Sequence, residues 1–313
     1  MRQGKVSRFI IILAAIAFCL MAAQDTCAQK KIKTMIATGQ DGSHWWQGGS
    51  DAIKQILENT ELFTVDIITT PDWDGDMTKF DPDFKEYDLV VINYGGETWV
   101  EKTRKNFEKY VFDGGGVVIV HSSVVPMDDW EEYNKMIGLG AWNGRNEKDG
   151  PYVYWKNGRF VYDYSPGYAG HHALQHPFTI THRNPGHPVL RGLPIVWDHF
   201  KDELYSKLRG PARNMEILAT TYDDPALNGS GRDEPMLWTV NYGKGKVFVT
   251  LMGHAGNDPE LRYAMECTGF QVTLTRGAEW AATGSVTQEV PKDFPSEEVI
   301  TLRKKFKAPF NAY

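Results

Sequence analysis

Cysteine is scarce in this chain of 313 residues: Cys19, Cys27 and Cys267 are all there are. Two of them fall in the first 28 residues, and the third cannot pair within the remainder. A fold stapled by internal disulfides is therefore excluded. Basic runs are missing too. Lys and Arg number 34 against 40 Asp and Glu, a net charge of −6 at pH 7. Such a balance argues against nucleic acid and against anionic membrane surfaces as partners. Gly95-Gly96 and Gly114-Gly115-Gly116 are not followed by the glycine spacing that cradles phosphates, so no nucleotide cofactor is expected. No Gly-x-Ser-x-Gly or Gly-x-Cys-x-Gly elbow follows a strand, which disfavours nucleophilic hydrolysis. Ser122, beside His121, points to the opposite face if both lie on a strand, so the two cannot pair directly. There are no repeats, low-complexity tracts or heptads.

The first 28 residues carry a processing signal. Arg2, Lys5 and Arg8 precede an apolar run from Phe9 to Ala23 that is short for a membrane span, and Thr26-Cys27-Ala28 offers small residues for cleavage before Gln29. Neither Cys19 nor Cys27 follows the small apolar residues that lipidation requires. The expected product is periplasmic or secreted and free of the membrane once cleaved after Ala28. It has 31 basic against 39 acidic residues, a net charge of −8. Residues 29–283 are expected to form one domain, and 284–313 a tail over its surface.

Strand-like and helix-like stretches then alternate. Lys33–Thr38, Phe63–Ile68, Tyr87–Asn93 and Val117–Val120 read as strands; Gly49–Glu58 and Glu101–Phe112 read as helices. The alternation predicts an α/β fold with a doubly wound, mostly parallel sheet. From about Pro126 to Gly210 the pattern breaks into an irregular insertion rich in Gly, Pro, His, Tyr and Trp. Regularity returns with strands at Glu216–Tyr222, Met236–Tyr242 and Lys246–Met252. A closing helix over Pro259–Ala282 is capped by Asp258, and places Cys267 inside it as a buried small hydrophobe.

Two of the apolar strands end in histidine, at His121 and His254, and His44 follows the first strand by a short loop. A parallel sheet brings all three to the carboxyl edge, where α/β proteins hold their ligands. The insertion adds His171, His172, His176, His182 and His187. His172 and His176 share a face only if that segment is helical, and His171, His172, His176 and His182 read first as ordinary loop polarity.

In order along the chain, Gly114–His121, His187-Pro188-Val189-Leu190-Arg191-Gly192-Leu193, Asp202-Glu203-Leu204-Tyr205, Pro235-Met236-Leu237-Trp238, Tyr242–Phe248 and Gly253-His254 resemble the ThuA (trehalose utilisation) family. The likeness spans about Lys33 to Ala282. That family is a divergent branch of the flavodoxin-like, class I glutamine amidotransferase-like fold. The resemblance implies that His121 sits at the elbow where an amidotransferase has its cysteine, so amidotransferase activity is not expected. It further implies a substrate among trehalose-like disaccharides, processed through 3-keto-glycosides. The leader and the acidic segment Gln288–Glu298 depart from the family pattern.

The first reading is thus an exported enzyme acting on a small-molecule sugar by acid–base chemistry in a His-rich pocket that can hold a divalent metal, zinc or similar. Its catalytic residues are His121, Glu203 and His187, with Asp202 orienting the loop. His121, His187 and His254 are the metal ligands. His44, Trp45, Glu97, Trp142 and His172 contact substrate, the indoles by stacking on sugar rings; Trp46 is a further indole of that kind. The competing reading is a non-catalytic sugar-binding or scaffold protein on a degenerate amidotransferase-like fold.

Overall fold

The computed structural model describes residues 30–256 and 263–303. The processing signal and the Asp258 cap lie outside the described residues. In chain order the elements are β1 (Ile32–Thr38), α1 (Trp46–Glu58), β2 (Phe63–Thr69), β3 (Leu89–Ile92), α2 (Glu101–Phe112) and β4 (Gly116–Val120). Next come α3 (Glu131–Ile137), β5 (Tyr152–Lys156), β6 (Arg159–Asp163), β7 (His176–His182) and β8 (Val196–Asp202). The chain continues with β9 (Met215–Tyr222), β10 (Asp233–Tyr242), β11 (Gly245–Thr250), α4 (Tyr263–Glu266) and α5 (Thr268–Thr283).

One sheet runs β2-β1-β3-β4-β11-β10-β9-β7-β8, with the β5–β6 hairpin attached through β10. Its two halves differ in direction. From β2 to β11 every pairing is parallel; from β11 to β8 every pairing is antiparallel. The parallel half is the doubly wound part. Leu89–Ile92 and Gly116–Val120 are buried along their whole length, as strands covered on both faces must be. Each such Val, Leu or Ile contributes about 1.5–3 kcal/mol on leaving water.

The stretch expected to be irregular holds four strands. β7 and β8 alternate inward and outward, with Phe178, Ile180, Trp197 and His199 facing in. The β5–β6 hairpin turns on Asn157-Gly158, both with positive φ, the geometry of a tight primed turn. His172 and His176 do not share a helix face: His176 begins β7 and no helix precedes it. The closing helix is also divided. Cys267, with φ −62° and ψ 123°, separates α4 from α5 and occupies the position before the first turn of α5.

Residues 284–303 run along α5. The Arg276 guanidinium donates to the Gln288 carbonyl, Thr287 N–H donates to Glu279, and the ring of Phe294 packs on Trp197. Among the described residues no helix is long and apolar enough to cross a membrane.

Candidate metal centre

The carboxyl ends of the parallel strands meet the end of β8 at one point. His44 lies in the loop after β1, His121 directly after β4, His254 four residues after β11, and Glu203 directly after β8. One ligand atom from each lies within 4.8 Å of all the others. Glu203 Oε2 is the hub: it is 3.1 Å from His254 Nδ1 and 3.5 Å from the Nε2 atoms of both His44 and His121. His254 Nδ1 is 3.4 Å from His121 Nε2. The imidazoles of His121 and His254 are almost fully buried, while Glu203 keeps 15% of its side-chain surface open to solvent.

The second nitrogens of two rings are already engaged. His121 Nδ1 is 2.6 Å from the Leu251 carbonyl, and His44 Nδ1 is 3.0 Å from Asp41 Oδ1. Both partners are pure acceptors, so each Nδ1 donates to its partner and each Nε2 faces Glu203. Nitrogens packed this closely around a carboxylate are held there by shared protons or by a cation. Three imidazoles and one carboxylate are zinc-type ligands, and a carboxylate or carbonyl behind each histidine is the usual outer support of such a site.

That support extends further. Asp41 also accepts from the N–H groups of Ser43 and His44 and from Ser122 Oγ, so Ser122 braces the carboxylate behind His44. His121 holds a left-handed backbone, φ 47°. A histidine pays about 1–3 kcal/mol for such a conformation and keeps it only where surrounding contacts dictate it. Gly253, φ 108°, lies so close to Phe270 that a Cβ there would clash. Only glycine lets the chain turn from β11 to His254.

Asp202 is wholly buried. Its carboxylate accepts from the backbone N–H groups of Glu203, Gly253 and His254 and pairs with His199 Nε2 at 2.8 Å. It thereby ties the backbones of two cluster members from opposite halves of the sheet.

The charges follow from these contacts. Burial alone would lift Glu203, yet the three histidines hold its carboxyl far below the ordinary range. Burial likewise opposes charge on His44, but Asp41 and Glu203 outweigh it and raise the imidazole to about 9. Burial dominates at His254 and lowers it. Tyr205, buried and facing Glu203, Asp41 and Asp202, is pushed well above a normal phenol; it stays protonated. Its hydroxyl is 3.4 Å from His44 Nε2, its ring lies 4.5 Å from that of His121, and Trp142 packs edge-on against it at 4.7 Å.

Of the residues singled out from sequence, His44, His121, Glu203 and His254 come together. His44, read as a substrate contact, takes the place in the cluster given to His187. His187 does not join. Its Nδ1 accepts from Val189 N–H and its ring packs on Trp280. Trp280 neighbours Ala281, whose carbonyl abuts Gly116 at the start of β4. His121 lies at the other end of that strand, about 16 Å on for five residues at 3.3 Å each.

Trp142 and His172 both pack beside Tyr205, their own rings 5.7 Å apart. Glu97 sits on the β3–α2 loop, where its side chain and backbone are held by Gln40. Trp45 folds over Gly48 of its own helix, and Trp46 opens that helix, half buried. His171 meets the Asn228 carbonyl, and buried His182 accepts from Trp197 Nε1 and is lowered to about 4. Asp41, Tyr205 and His199 escaped the sequence reading. An aspartate between glycines three residues before His44 was the available signal for the first. His199 had none.

The sequence model of the family described as trehalose utilisation, ThuA, matches residues 33–281. A ThuA-like protein of Parabacteroides merdae has a crystal structure 51% identical in sequence; the match covers 89% of this chain and 99% of that one, with a TM-score of 0.86. A second ThuA-like protein, from Bacteroides uniformis, is 17% identical over 82% of this chain and 94% of its own, with a TM-score of 0.53, a likeness of fold alone. No protein with a curated description matches the chain.

Proposed function

The chain belongs to the ThuA, or trehalose utilisation, family, and from that membership and the donor set at its centre we propose that it is an exported, metal-assisted enzyme acting on a trehalose-like disaccharide or its 3-keto-glycoside. One observation carries the reading: Asp41 and the Leu251 carbonyl occupy the outer nitrogens of His44 and His121, so their inner nitrogens both face Glu203 Oε2.

His44, His121, Glu203 and His254 would hold the ion. A divalent metal there supplies Lewis acidity toward a sugar carbonyl or hydroxyl. The protein's own groups do the rest. The Tyr205 hydroxyl keeps its proton and offers it as a hydrogen bond beside His44 Nε2. Asp41 fixes the His44 ring through Nδ1–H and stabilises positive charge on it. Trp142 and His172 offer ring faces and edges to a pyranose. The buried imidazoles exclude bulk water from one side, while Glu203 remains accessible from the other.

Turnover of trehalose-type disaccharides and of their 3-keto forms, measured before and after chelation, tests this. We expect turnover of at least one class that is lost on chelation, restored by added metal and abolished by Glu203→Gln. Tight sugar binding with no turnover of any of them would favour the non-catalytic alternative. Turnover indifferent to chelation and to Glu203→Gln would overturn the metal-assisted reading.

A further inference from the structure

Behind Asp202 lies a chain of buried groups that never reaches the cluster's open side. Asp202 receives Gly253 N–H and His254 N–H from the β11 loop and Glu203 N–H from the end of β8. Its fourth partner, His199, is completely buried. On the far side of His199 lies the thiol of Cys267, also completely buried, and the two interact. The other ring nitrogen of His199, Nδ1, has no hydrogen-bond partner and no water-accessible surface. A buried imidazole nitrogen left this way costs about 1–3 kcal/mol unless a neighbouring charge makes use of it.

Cys267 stands at the N-terminus of the sixteen-residue α5. Burial alone would push its thiol up, but His199 brings it below its ordinary value. Burial also opposes charge on His199, and Cys267 and Asp202 together raise it to about 10.

We propose that His199 is a positioning residue of the metal centre: it anchors the Asp202 carboxylate, and Asp202 sets the backbones that carry Glu203 and His254. It touches neither ion nor substrate. The inference rests on the metal-site reading above and deepens it, since it makes metal affinity depend on an imidazole sealed inside the fold.

Cobalt(II), whose visible absorption responds to its ligand arrangement, serves as the probe. The dissociation constant and spectrum are measured for the wild type, His199→Leu, His199→Phe and His199→Gln, with a thermal melt of each metal-free protein. We expect His199→Leu and His199→Phe to weaken cobalt binding by about tenfold or more, the scale of lost outer-shell support. His199→Gln, which keeps an N–H for Asp202, should recover most of the loss and restore the spectrum. Should His199→Leu fail to fold, His199→Phe, closer in shape to the imidazole, still decides. Variants within twofold of the wild type, with unchanged spectra, would overturn this inference alone. A wild type that binds no cobalt would remove the reading it rests on as well.

Discussion

The two halves of the sheet bury different things. In the parallel half the central strands hide only aliphatic side chains, Leu89–Ile92 and Gly116–Val120. The antiparallel half buries His182, His199, Asp202 and Glu234 among its strands. The first half supplies the three cluster imidazoles, all on loops that follow its strands. The second supplies the carboxylate, the Tyr205 phenol and the buried aspartate that aligns them. Rigidity comes from one side and charge from the other, and the candidate centre forms where they meet.

Several substitutions test that division, beginning with the most damaging. Asp202→Asn leaves His199 without its counter-charge and sets an amide N–H against backbone donors. Breaking a buried pair in this way costs about 3–5 kcal/mol, to be read as a lower urea midpoint. A parallel-half change such as Val118→Ala should cost less, within the range of about 1–3 kcal/mol for lost aliphatic bulk. An equal or smaller loss at Asp202 would erase the contrast.

Glu234, sealed inside β10, gives the antiparallel half its own pH response. Burial lifts its carboxyl from 4.5 to about 7. The folded state therefore favours the protonated form. Its contribution to stability is intact below about pH 4.5, falls as pH rises through 7, and is flat above. Glu234→Gln should match the wild type near pH 4.5 and exceed it increasingly up to pH 7.5, by at most about 3 kcal/mol. Melts at several pH values check this, and a constant offset would contradict it.

Glu203→Gln should leave the fold intact and weaken metal binding by at least about 100-fold, beyond the usual effect of an outer-shell change. The smallest effect belongs to His187→Ala. Loss of its packing on Trp280 should cost about 1–2 kcal/mol and leave metal affinity unchanged within twofold. Calorimetric titration of both variants separates a ligand from a bystander.

The same contrast explains what could be read in advance. The parallel half was legible because continuous Val and Ile runs have few alternatives to a buried strand. From that follow the α/β architecture and the meeting of His44, His121 and His254 at one edge. The strands β7 and β8 were not legible. In Val196-Trp197-Asp198-His199-Phe200-Lys201-Asp202 burial alternates through Trp197 and His199 and then breaks, burying Asp202 after exposed Lys201; a polarity count assigns both His199 and Asp202 to loops. Buried charge looks like surface charge until a partner is known, and these partners lie in Gly253, His254 and Cys267. The β5–β6 hairpin was a different matter: Asn157-Gly158 between β-formers was readable and went unread. His187 misled because its Pro-flanked motif carries the family resemblance while its side chain serves packing.

Metal content decides the central claim most directly. The purified protein is equilibrated with zinc, freed of excess, and assayed for metal per chain alongside His44→Ala, His121→Ala, Glu203→Gln and His254→Ala. The account predicts one ion per wild-type chain and a marked loss in each of the four variants. A wild type without stoichiometric metal, or variants that all retain it, would contradict it.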